Sequence, residues 1–142
     1  MKKIIYLLIY LFVSNIHCQE KKETIYLFYD LKEKKKCFKE DGSGNNLKID
    51  FYKKERKKGK IIFHICDEKF LFDPKKQKKD TCSIKSLKNI NFTNLDYIKD
   101  KYQKGNDFKH HVFKQIIIVE KISETQVVKY FNIYWCCEWI IE

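Results

Sequence analysis

The run Ile116-Ile117-Ile118-Val119, followed across the polar reversal Ser123-Glu124-Thr125-Gln126 by an alternating segment over residues 127–141, most narrows what this chain folds into. An unbroken β-branched run is what a strand covered on both faces carries. In residues 127–141 one face takes Val127, Phe131, Ile133, Trp135, Cys137, Trp139 and Ile141, with Lys129 its sole charge. The other face takes Tyr130, Asn132, Tyr134, Cys136 and Glu138. Period-two alternation of this kind predicts a long C-terminal antiparallel strand with a core face and a polar or aromatic face, Trp135 lying on the core side.

Upstream segments agree with a sheet. Residues 23–31 alternate Ile25, Leu27, Tyr29 and Leu31 against Thr24, Tyr26, Phe28 and Asp30, and both faces carry large apolar groups. Leu47, Ile49 and Phe51 alternate with Lys48, Asp50 and Tyr52, and a third strand is expected over residues 60–66. Phe70-Leu71-Phe72 reads as a short strand stopped by Asp73-Pro74, since proline lacks the donor a ladder needs. One helix begins near Asn94, with Thr93 as cap, Asp96 at the capping-box position, a stripe of Leu95, Ile98 and Tyr102, and Gly105 as stop. The expected fold class is α+β, a curved antiparallel β-sheet with one short amphipathic helix, and the alternative is a small β-barrel.

Residues 1–18 read as a secretory signal peptide, with Lys2 and Lys3 before the apolar stretch of residues 4–13. A bilayer core needs about 20 apolar residues, so this stretch is too short for an ordinary span, and none is expected after processing. Residues 19–142 then form a single small basic β-rich domain, secreted or periplasmic. A lipid anchor at Cys18 is disfavoured, because His17 stands where a lipobox carries a small residue.

Cleavage removes two of the 30 basic residues and none of the 19 acidic ones, leaving a net charge of +9. Arg56 is the only arginine of the chain. Lysine attracts anions as a mobile point charge, whereas base edges are read by the rigid guanidinium fork, so sequence-specific DNA binding is not expected. Three lysine clusters at residues 32–36, 53–58 and 75–79 fall between apolar segments, where they read as loops and strand ends. They serve either as solvated edges or, if they meet in space, as one anion-attracting surface.

Removal of the leader leaves Cys37, Cys66, Cys82, Cys136 and Cys137 as disulfide candidates in an oxidising compartment, with Cys66 and Cys82 a reasonable pair. Cys136 and Cys137 point to opposite faces of a straight strand and are expected to seek distant partners. His64, with His110 or His111, offers general acid–base chemistry if they converge, Lys109 or Lys114 then stabilising a phosphate transition state. Asn91-Phe92-Thr93 matches the N-glycosylation triplet. No hydrolase elbow, phosphate-binding loop, dinucleotide fingerprint or metal-ligand spacing occurs, so neither metal nor cofactor is expected.

These residues point to an exported non-catalytic binding or interaction protein, of inhibitor or immunity type. Lys57, Lys58, Lys75, Lys76, Lys78 and Lys79 steer an acidic protein or other polyanionic surface, and Tyr130, Tyr134 and Trp139 supply aromatic contacts. The competing readings are a ribonuclease-like phosphodiesterase using paired histidines and a structural envelope-associated protein.

Overall fold

The computed structural model describes residues 22–33, 35–40, 42–104 and 112–136. The signal-peptide reading, Cys18, Lys109, His110, His111, Cys137 and Trp139 lie outside these residues. The strands in chain order are β1 (Thr24–Tyr29), β2 (Lys36–Glu40), β3 (Asn46–Asp50), β4 (Tyr52–Lys57), β5 (Lys60–Ile65), β6 (Glu68–Phe72) and β7 (Lys79–Ser83). A 3₁₀ turn (Ile84–Leu87) and the helix α1 (Leu95–Lys104) precede β8 (Gln115–Lys121), β9 (Gln126–Tyr130) and β10 (Tyr134–Cys136).

The fold is α+β and mostly antiparallel, with a single short α-helix and no closed barrel among the described residues. The strands divide into two four-stranded sheets, β1-β8-β9-β7 and β10-β6-β5-β4, and a separate β2–β3 hairpin. One pairing is parallel, β1 with β8, from Thr24 opposite Gln115 to Tyr29 opposite Glu120. The isoleucine run of β8 sits inside its sheet between β1 and β9, which is why it is apolar on both faces.

The two sheets pack against each other through a shared core. The Tyr52 hydroxyl donates to the Phe28 carbonyl of β1 at 3.1 Å, and two residues on Lys54 reaches Glu120 of β8 and lies over the Tyr130 ring of β9. Between the two sheets lies the main core, where Tyr29, Phe63, Phe72 and Tyr130 meet edge to face at about 5 Å between ring centres. Ile98 of α1 is fully buried in this core, with Leu95 and Tyr102 partly buried against it, so the expected stripe is the packing face.

Four details differ from the sequence expectation. The segment at 127–141 is broken after Tyr130, because Asn132 takes a left-handed conformation at φ 55 that no straight strand accommodates. That turn resets the alternation, so Val128 and Tyr130 before it and Ile133 and Trp135 after it all enter the main core. Residues 53–57 form most of β4 rather than a loop. The helix cap is Asn94 rather than Thr93, since Asn94 Oδ1 accepts the Tyr97 N–H at 2.8 Å.

Candidate binding surface

Strand register brings the end of the second lysine cluster, Lys57 and Lys58, beside the third. Lys57 pairs with Lys60 across the β4–β5 turn, and Ile61 pairs with Phe72, so the turn lies beside the segment that leaves β6. Lys60 Nζ stands 3.7 Å from Asp73 Oδ2 across that junction. Lys57, Lys58, Lys75, Lys76, Lys78 and Lys79 are all exposed at this end of the molecule. The first cluster is elsewhere: the Phe51 N–H donates to the Lys35 carbonyl at 3.3 Å, which places it at the opposite end of β4.

The backbone under the lysines is fixed. Lys58 at φ 52 and Gly59 at φ 77 are the two left-handed residues of a tight hairpin turn. Asparagine and glycine fill such positions with little strain, so a lysine at the first of them places charge at the tip where local conformation does not favour it. The segment after β6 is held by two buried residues. Asp73 N–H donates to Gln77 Oε1 at 2.5 Å, Asp73 accepts from the backbone of Lys75, Lys76 and Gln77, and the Gln77 amide donates to the Asn132 carbonyl. Phe131 N–H donates to the Lys78 carbonyl at 3.0 Å, which ties the lysine segment to the β9–β10 turn.

The aromatic candidates separate. Tyr130 is 4% exposed and its hydroxyl donates to Glu120 Oε2 at 2.7 Å, so it belongs to the core and is not a contact residue. Tyr134 is 41% exposed on the outer face of its sheet, while Trp135 is buried and donates to Glu68 Oε2.

Behind Tyr130 lies an ion pair that the sequence did not announce. Lys54 Nζ contacts both Glu120 oxygens at 2.7 Å, and Glu120 is 6% exposed. The ammonium also sits over the rings of Phe63 and Tyr130. Burial first, and then the Glu120 charge, push the Tyr29 hydroxyl far above the usual tyrosine range, and burial with the Glu120 hydrogen bond does the same for Tyr130. Both phenols therefore stay neutral; Tyr130 donates to the carboxylate, and the Tyr29 hydroxyl is buried without a hydrogen-bond partner among the described residues.

His64 is on the outer face of β5, cross-strand to Lys53 and Lys69. Its Nε2 lies 3.2 Å from Glu55 Oε2 without an aligned hydrogen bond, and the two form an ion pair only when the imidazole is protonated. Burial lowers the imidazole pKa from its ordinary value although Glu55 works in the opposite sense. Lys114 is exposed, and its N–H donates to the Glu23 carbonyl.

The cysteine pairing is Cys37 with Cys66, and Cys82 is a free, half-buried thiol packed beneath Val127 and Leu87. The expected Cys66–Cys82 pair does not form because Cys82 sits on β7 in the other sheet, whereas Cys66 stands at the β5–β6 turn facing the β2–β3 hairpin. Beside the disulfide opens a groove of about 600 Å³ lined by Phe28, Phe38, Phe51, Tyr52 and Phe92, with Asp67, Asp96 and Lys99 among its polar residues. No cluster of three metal-binding side chains occurs among the described residues. No described helix is long and apolar enough to cross a membrane.

Comparison with known protein families, with curated proteins and with solved structures finds no match to this chain.

Proposed function

We propose that this chain is an exported, non-catalytic binding protein whose lysine end captures an acidic macromolecular partner. The observation that supports the reading is that the β4–β5 turn, with Lys57 and Lys58, lies beside the start of the segment after β6 that carries Lys75, Lys76, Lys78 and Lys79, all six exposed. Clustered like charge raises the local potential and accelerates encounter with an opposite surface, and it does so within about 8 Å at physiological salt. Six cations on a backbone pinned by Gln77 and the β4–β5 turn meet a partner without first being ordered, which favours capture. Tyr134 lies on the sheet whose β4–β5 turn carries Lys57 and Lys58, and its half-exposed ring is the aromatic contact this reading retains.

Retention on immobilised polyglutamate tests the patch against mere net charge. Replacing the six rim lysines with glutamine is expected to lower the eluting salt concentration far more than replacing Lys32, Lys35, Lys48, Lys53, Lys85 and Lys88, which are also exposed. Equal losses would remove the patch from the argument. The competing phosphodiesterase reading pairs His64 with His110 or His111, of which His64 alone lies among the described residues. It requires hydrolysis of a dinucleotide or RNA by the purified protein that His64→Ala abolishes.

A further inference from the structure

We propose that Asn91 is an acceptor for an N-linked glycan that stands at the mouth of the aromatic groove; the proposal rests on the reading of this chain as exported. Asn91-Phe92-Thr93 is an Asn-x-Thr triplet with no proline in the middle. The structure removes the competing use of its third residue. Asn94, not Thr93, caps α1, and among the described residues the Thr93 hydroxyl makes no hydrogen bond. Its backbone N–H is anchored on the Tyr26 carbonyl at 2.8 Å, so the triplet is held at the edge of the first sheet.

Asn91 itself is exposed, in a stretch that is neither helix nor strand. A glycan there displaces no secondary structure and buries no polar group. The ring of Phe92 beside it is 39% exposed and meets Phe28 edge-on at 5.3 Å. Both rings line the groove, as does Phe38, which is 66% exposed. The apolar C–H faces of the first sugars have aromatic surface to lie on at this point, and their hydroxyls face water. A patch that would otherwise invite association gains a hydrophilic cover. The lysine rim is at the other end of β4 and stays open.

In the reaction the carboxamide nitrogen of Asn91 attacks the anomeric carbon of a lipid-pyrophosphate-linked oligosaccharide. A nitrogen–carbon bond forms, the carbon–oxygen bond to pyrophosphate breaks, the lipid pyrophosphate departs, and the carboxamide gives up one proton.

The test is expression of the full chain in a eukaryotic secretory cell, once with its own first residues and once behind an added heterologous cleavable leader. One glycosidase-sensitive band shift is expected, lost in Asn91→Gln and in Thr93→Ala and kept in Thr93→Ser. A shift seen only behind the heterologous leader upholds the acceptor site and overturns the export reading. Lumenal, protease-protected chain behind that leader with no shift overturns the acceptor site, and so does a shift that survives Asn91→Gln.

Discussion

The two-sheet body and the β2–β3 hairpin each contain a lysine–carboxylate contact between strands, Lys54 with Glu120 in the body and Lys36 with Asp50 in the hairpin. The side chains of the first pair are 21% and 9% exposed, those of the second 41% and 62%. In water-filled surroundings a pair gains little beyond what each ion already has from solvent. Between two sheets, each ion depends on the other, because water is no longer there to replace it. The hairpin thus teaches the converse of the body: alternation without a second layer leaves Phe38 and Leu47 more than half exposed, and attachment depends on the Cys37–Cys66 bond.

The comparison breaks most directly at Glu120. Replacing it with alanine strands the Lys54 charge and the Tyr130 hydroxyl, and a loss of about 3–5 kcal/mol in urea unfolding is expected. The double variant Lys54→Met with Glu120→Leu should regain most of that loss; a single variant within about 1 kcal/mol of the parent would show that the pair is solvated after all. Second in size is the Cys37→Ser and Cys66→Ser protein. The bridge closes a separation of 29 residues, for which chain entropy gives about 3.6 kcal/mol. Hydrogen exchange should show β2 and β3 losing protection while β5 and β8 keep theirs, and uniform loss would mean that the hairpin is part of the body.

A smaller effect belongs to His64. Its pKa is depressed in the folded protein, so the unfolded chain binds the proton more readily. The neutral imidazole's contribution is fully present above the ordinary histidine pKa and is lost as pH falls through the folded value. The stability difference between the parent and His64→Gln should therefore shrink or reverse on going from roughly pH 7 to pH 5, and a constant difference would refute the assignment. Least of all is expected from Lys36→Gln with Asp50→Asn, whose denaturation midpoint should match the parent's. A clear drop would show that the exposed pair holds the hairpin together where the disulfide was credited.

Strands whose central residues are apolar, with lysine only at an end, were legible: β1, β5, β8 and the Leu95, Ile98 and Tyr102 face of α1 lie where periodicity puts them. Strands β2 and β4 were not, since Lys36-Cys37-Phe38-Lys39-Glu40 and Tyr52-Lys53-Lys54-Glu55-Arg56-Lys57 carry the composition of solvated loops. Their strand character comes from pairing, with an edge position tolerating lysine on the outer side and Glu120 supplying a partner for the one that points inward. The break at Asn132 was hidden because apolar residues flank it on both sides, and a turn that resets phase leaves alternation intact in the letters. Lysine clusters were visible one by one, but which of them lie side by side is a property of register, which local sequence does not encode.

The parallel pairing of β1 with β8 joins Thr24 to Gln115, residues 91 apart in the chain. In N-to-C synthesis β1 emerges long before β8, the strand that completes it. Throughout that interval Ile25, Leu27 and Tyr29 on one side and Tyr26 and Phe28 on the other have no lasting cover. The length of that interval, more than native-state energetics, then governs how much of the newly made chain escapes aggregation.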